Sequence, residues 1–294
     1  MGQDDNKRMI VLTLAYDGTD FFGFQSQAGT GLPTVQDALE AGIAALSGER
    51  VTVEGSGRTD TGVHAWGQVV HFYTSASIPP ERWALALPPH LPESIVVRES
   101  KAADSAFHAR FSAKRKTYLY QFYCHPTPSP FLRRYACHVP YPLDVTAMEK
   151  AASYFEGSHD FRGFCAAGAK VNSFVREISL CRLHHQKTHR QGIKKPGFFE
   201  APGSEGLREP EEMNVDFAAF AGSDDALLRL EIQGNGFLWH MVRIIAGTLL
   251  EVGAGKRKPQ DIPLLLGLGN RCKAGKTLPP QGLFLYGVEY PKVD

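Results

Sequence analysis

The sequence has no run approaching the eighteen or so consecutive apolar residues of a membrane span. It opens on a short polar stretch, Met1 to Arg8, without the apolar core of a secretory signal. A cytoplasmic address is the resulting expectation. Cysteine is scarce: five residues, Cys124, Cys137, Cys165, Cys181 and Cys272, odd in number and with no C-x-x-C pair. That argues against a disulfide framework and fits a reducing compartment. Histidines lie near three of them, but not at the spacing of a zinc module, so buried or incidental thiols are favoured over a metal site. Acidic residues are missing altogether between Ala106 and Leu143. Lys114, Arg115, Lys116, Arg133 and Arg134 fall inside that gap, with Phe111, Tyr118, Tyr120, Phe122 and Tyr135 among them. Cations mixed with rings are what looped RNA requires. An ordinary strand with rings inside and cations outside reads the same way, and this segment alone does not choose.

What is present is a globular composition. Of 294 residues 43% are hydrophobic and 21% charged, with a net charge of +1, enough for one large domain or two of ordinary size. The β-branched run 8–16 predicts a strand stopped by Asp17-Gly18. Thr34 reads as a helix N-cap, with Val35, Leu39, Ile43 and Leu46 on one face up to Gly48. Short strands are predicted at 51–54 and 67–73, a short helix at 82–87 and a strand at 95–101. The second half repeats the style, with strands at 116–123, 175–183, 227–233 and 283–288 and helices at 145–155, 241–252 and 259–266. The expected fold class is therefore α+β, two related units sharing mainly antiparallel sheet, divided as 1–105 and 106–294. Residues 184–225, rich in Gly, Pro, Lys and Glu, read as a surface insertion in the second unit.

The chemistry-bearing stretch is Gly55-Ser56-Gly57-Arg58-Thr59-Asp60-Thr61-Gly62-Val63-His64-Ala65. Its glycines allow tight turning and close approach to a ligand, and they hold a cation, hydroxyls and a carboxylate between two strands. It lacks the Lys-Ser/Thr ending of a P-loop, the G-x-G-x-x-G dinucleotide pattern and the G-x-S-x-G nucleophile elbow. Asp60 is then the candidate nucleophile, although a polar turn capped by Asp60 would carry the same composition.

The run G-R-T-D-x-G-V-H-A resembles the signature of the tRNA pseudouridine synthases of the TruA family. Asp17-Gly18-Thr19-Asp20 with Phe21 to Gln25, Phe107-His108-Ala109-Arg110-Phe111, Tyr118-x-Tyr120 and Gly236-Phe237-Leu238-Trp239-His240-Met241-Val242-Arg243 resemble further family segments in register, from about Ile10 to Pro291. The resemblance implies a pseudouridine synthase fold of two ferredoxin-like halves with an RNA-binding cleft. It implies a homodimer acting without cofactor or metal on uridines of the tRNA anticodon stem-loop, at positions thirty-eight to forty. It makes Asp60 catalytic, sets Tyr118 against the target base, pairs Arg243 with the aspartate and gives Arg58 a part in holding the flipped nucleotide. A tRNA-binding module without catalysis is the alternative. At most one of Tyr118 and Tyr120 is expected at the site, Phe237 and Trp239 in the core, and His64, His108 and His240 in structural roles.

Overall fold

β1 (Arg8–Tyr16) forms on an apolar run that holds the β-branched Ile10, Val11 and Thr13, and all but three of its side chains are buried. The computed structural model describes residues 7–27, 29–169, 171–185 and 227–291. β1 is followed by α1 (Val35–Ser47), β2 (Glu54–Gly55), β3 (His64–Thr74), α2 (Trp83–Ala86) and β4 (Ile95–Ala103). The chain continues through β5 (Arg115–Cys124), β6 (Cys137–Val139), α3 (Val145–Ser153), β7 (Gly157–Asp160) and β8 (Val175–His185). It ends with β9 (Leu227–Gly234), α4 (Met241–Gly253), α5 (Asp261–Leu268) and β10 (Leu283–Glu289).

The strands join one mixed sheet in the order β4-β1-β3-β10-β5-β9-β8-β7, with β2 added to β3 and β6 to β5. Pairing is antiparallel along this path except between β10 and β3. The last strand, β10, thus lies between β3 and β5, antiparallel to β5 and parallel to β3. One contiguous apolar cluster runs from Ile10 to Leu285, and α4 packs against both α3 and β5.

Local signals behave as their chemistry dictates. Thr34 Oγ1 accepts from the Asp37 amide at 3.2 Å, and Gly48 closes α1 at φ 75°. The short strands β6 and β7 have no counterpart among the expected elements, and three expected elements differ in extent. The strand expected at 51–54 is reduced to Glu54–Gly55, because the Val53 amide donates to Glu40 Oε1 rather than to a ladder. β3 starts three residues early, because His64 and Ala65 pair with Phe284 and Leu285. The short helix at 82–87 shrinks to Trp83–Ala86 between two 3₁₀ turns that begin at Pro80 and Pro88. Of the insertion expected at 184–225, His184 and His185 close β8, and the rest lies outside the described residues.

The acid-poor segment divides. Tyr118, Tyr120, Phe122 and Tyr123 on β5 are buried, whereas Phe111 and Phe131 are exposed. Strand packing accounts for the first group and leaves the second, with Tyr141, on the surface.

Candidate active site

Two loops meet over the end of β3. A side chain on Gly18 would put its Cβ 2.0 Å from Val63 O, and one on Gly23, at φ 89°, would meet Thr59 O at 2.7 Å. Those contacts require glycine, and they let segment 17–24 lie directly on segment 59–63. Backbone bonds fasten the pair: Phe24 N to Thr59 O at 3.1 Å and Gly62 N to Phe21 O at 3.2 Å. His64 is the polar rivet beneath them. Its Nδ1 lies 3.0 Å from Gly18 N and 3.1 Å from Asp17 Oδ1, and its Nε2 is 2.8 Å from Arg134 O. Burial works against the Asp17 carboxylate, but bonds from His64, Thr19 and Tyr135 outweigh it and hold Asp17 well below the usual carboxylate range.

The loop between β2 and β3 is clamped from the sheet by Gln68. Its Oε1 accepts from Ser56 Oγ at 2.6 Å, and its Nε2 donates to Gly57 O at 2.7 Å. Thr59 Oγ1 meets Tyr16 Oη at 2.7 Å. Asp60 follows on this fixed loop and remains about one quarter exposed. Its Oδ2 lies 3.2 Å from Arg243 Nη1 and 3.5 Å from His240 Nε2. Arg243 is itself pinned, its Nε donating to Leu278 O at 2.7 Å. It does not merely coat its helix. The carboxylate also sits by the first turn of α4, where the helix dipole favours negative charge.

These groups open into a pocket of about 780 Å³, within the usual range for small-ligand sites. Asp60, Tyr118 and Arg58 line it; Arg243 reaches Asp60 from behind, on α4. Tyr118 is nearly buried, its ring edge-on to Phe237 at 5.0 Å. Burial, then Tyr16 and Asp60, push its phenol well above the ordinary value. Residues two apart on a strand share a face, so Tyr120 points the same way as Tyr118. Tyr120 is withheld from the site by burial and by its bond to Pro279 O at 2.9 Å. Arg58 is exposed on the same loop, and its guanidinium makes no hydrogen bond or ion pair among the described residues.

Three pocket residues are not among the site residues that the sequence singles out. Trp239 is 47% exposed at the pocket, which corrects its expected place in the core. His240 caps α4 in the left-handed region at φ 60°, alone among the described non-glycine residues, and that turn carries its ring to Asp60. Burial lowers its pKa, Asp60 opposes this, and Arg243 and Arg271 lower it further. Lys116 is the third; burial, then the charge of Arg110, push its amine down to about 8. The sequence offered a signal only for Lys116, which lies two residues before Tyr118 on one strand face.

Among the described residues one group could hold a metal: Glu54, His71 and His108, with ligand atoms within 4.8 Å of one another. Three of its four ring nitrogens already have protein partners. His71 Nδ1 accepts from Ala109 N and His108 Nδ1 from Arg110 N, and His108 Nε2 lies 2.9 Å from Glu54. No helix among the described residues is long and apolar enough to cross a membrane.

The sequence matches the profile of a family described as tRNA pseudouridine synthase over residues 13–112 and 151–291. The chain belongs to that family. It is 41% identical to tRNA pseudouridine synthase A of Caldicellulosiruptor saccharolyticus over 283 residues, 96% of this chain and 100% of the relative. It is 44% identical to the protein of that name from Bacillus pumilus, over 96% of this chain and 98% of the relative. The Moorella thermoacetica protein of that name is 41% identical, over 96% and 99%. As a pseudouridine synthase the chain is an isomerase, and the Asp60 pocket is the place to seek its chemistry.

Proposed function

We propose that the chain converts uridine to pseudouridine in the tRNA anticodon stem-loop, at positions thirty-eight to forty, with Asp60 as the nucleophilic carboxylate. The observation that carries this reading is Asp60 held in a nucleotide-sized pocket, 3.2 Å from Arg243 and beside Tyr118. The reaction breaks the N1–C1′ bond, turns uracil over, joins C5 to C1′ and releases the C5 proton. It exchanges no electrons and consumes no water, so amino-acid side chains suffice. The base must first leave its stem, as in other enzymes that act on a base. The Asp60 carboxylate attacks C1′ and expels uracil N1, then leaves C1′ as C5 joins it and N1 takes up a proton, while Arg243 and His240 fix Oδ2 and leave Oδ1 free. Tyr118 stays a phenol because of its burial, which favours contact with uracil over acceptance of the C5 proton. Arg58, exposed at the rim, holds the everted nucleotide.

The stem-loop target, a cytoplasmic homodimer and two ferredoxin-like halves, 1–105 and 106–294, belong to the same proposal. They are supported by the ordered resemblance of motifs along the chain. The test is tritium release from tRNA labelled at uracil C5, comparing the intact enzyme with Asp60→Ala. Release that vanishes in the variant while tRNA binding persists is expected. Release that survives would remove Asp60 from the mechanism, and binding without release by the intact enzyme would make the protein a binding module.

A further inference from the structure

The two-residue period that turns Tyr118 into the pocket turns Lys116 the same way. Lys116 Nζ donates to Ser56 O, and no carboxylate pairs with it among the described residues. Arg110 lines the same pocket from segment 107–112 and has no ion-pair partner there either. That segment is held firmly: Tyr290 Oη donates to Ala109 O at 2.7 Å, and Arg110 N to His108 Nδ1 at 3.1 Å. The carboxylates around the pocket are engaged elsewhere, Glu54 by His108 and Asp60 by Arg243 and His240.

Two cations have therefore been brought together, one largely desolvated, with no anion between them among the described residues. Such an arrangement opposes folding unless a ligand supplies the missing charge. The location says which part of a ligand. A side chain built on Gly57 would lie 3.7 Å from Tyr118 Oη and 3.8 Å from Lys116 Nζ. Amine and phenol border one space, as the backbone and base of a single nucleotide require.

We propose that Lys116 and Arg110, beside the Ser56–Gly57 backbone, form a phosphate subsite that takes an RNA phosphodiester adjoining the everted uridine. The inference rests on the tRNA-modifying reading above and adds to it a site for the nucleotide's backbone. A phosphate there restores the charge on Lys116, so RNA binding at about pH 8.5 takes up a proton that binding at about pH 6.5 does not. The other charged or titratable groups lining the pocket are Arg58 and Asp60 on the loop between β2 and β3, Glu54 on β2, Arg110, Tyr118 and His240. Carboxylates ordinarily titrate below this window and phenols and guanidinium groups above it; an ordinary imidazole lies at its lower edge, and burial takes His240 lower still.

The experiment measures binding of an unmodified tRNA transcript to the full chain carrying Asp60→Ala, with and without Lys116→Met or Lys116→Arg. Lys116→Met is expected to lower the slope of log affinity against log salt by about one. Lys116→Arg is expected to keep that slope. Calorimetry in two buffers of different ionisation heat reads the proton, which is expected for the parent and for neither variant. A folded Lys116→Met chain with unchanged slope and unchanged proton uptake would overturn the subsite. Uptake produced equally by inorganic phosphate alone, without competition from tRNA, would assign the cations to a free anion and also overturn it. Tritium release by the intact enzyme separates these results from failure of the activity, since its absence would remove the functional reading and the subsite together.

Discussion

Arg243 places two donors of one rigid fork, Nε on Leu278 O and Nη1 on Asp60 Oδ2. A lysine keeps the charge but has no fork, so Arg243→Lys leaves either the carbonyl or the carboxylate without its donor. A lost hydrogen bond to a charged group is worth about 1.5–3 kcal/mol, so the single-turnover rate should fall by roughly 10–100-fold. Single-turnover tritium release checks this, and an unchanged rate would show that Arg243 does not orient Asp60. Lys116 has the opposite energetic sign. Its amine sits at about 8 in the folded chain, against 10.5 for an ordinary lysine, so the folded state holds the charged form at a cost. That cost is fully present below about pH 8 and disappears as pH rises to the unfolded value. Lys116→Met should therefore melt above the parent at neutral pH, with the gain fading by about pH 10.5 in parallel thermal scans. A gain that persisted above that pH would mean something other than charge was relieved.

At the scale of elements, the catalytic loop owes its shape to β3 more than to its own sequence. Gln68 is fully buried and serves both Ser56 and Gly57. Gln68→Ala would leave the Ser56 hydroxyl and the Gly57 carbonyl unpaired, at about 1–3 kcal/mol for each buried group. Urea denaturation should register the loss, and the rate should fall because Asp60 is four residues from Ser56. Unaltered stability would show that water replaces the clamp. The sequence made the loop's importance legible through Gly55, Gly57 and Gly62, but not its clamp. Gln68 sits inside a strand that reads as plain β structure, and only the turn of β3 beneath the loop gives its amide two partners. His240 escaped for a related reason: a histidine before an apolar helix gives no sign of a left-handed backbone, yet that backbone brings its ring to Asp60.

For the whole molecule, β10 joins what the chain order separates. Leu283 and Leu285 are buried between β3 and β5, and the side-chain-free Gly67 and Gly282 allow β10 and Tyr120 to approach closely. A chain ending before Leu283 loses both sets of pairings, and with them the link between the Asp60 loop and the Tyr118 strand. It should show no cooperative thermal transition by circular dichroism and should be cut rapidly by protease. Retention of a sharp transition would mean that the two parts of the sheet fold without it.

The sequence by itself determined the elements whose signals are local: β1, α1 with its Thr34 and Gly48 caps, β5, α4 and the glycine-rich loop bearing Asp60. Periodicity, capping chemistry and backbone freedom depend on neighbours along the chain, so they are readable there. Tertiary structure decided the rest. It drew Arg243 to Asp60 across 183 positions, set Lys116 against Arg110 with no counter-ion among the described residues, moved Trp239 from core to pocket and slid β10 between β3 and β5. Each of these depends on which surfaces close together when one apolar cluster is buried, and no local pattern encodes that choice.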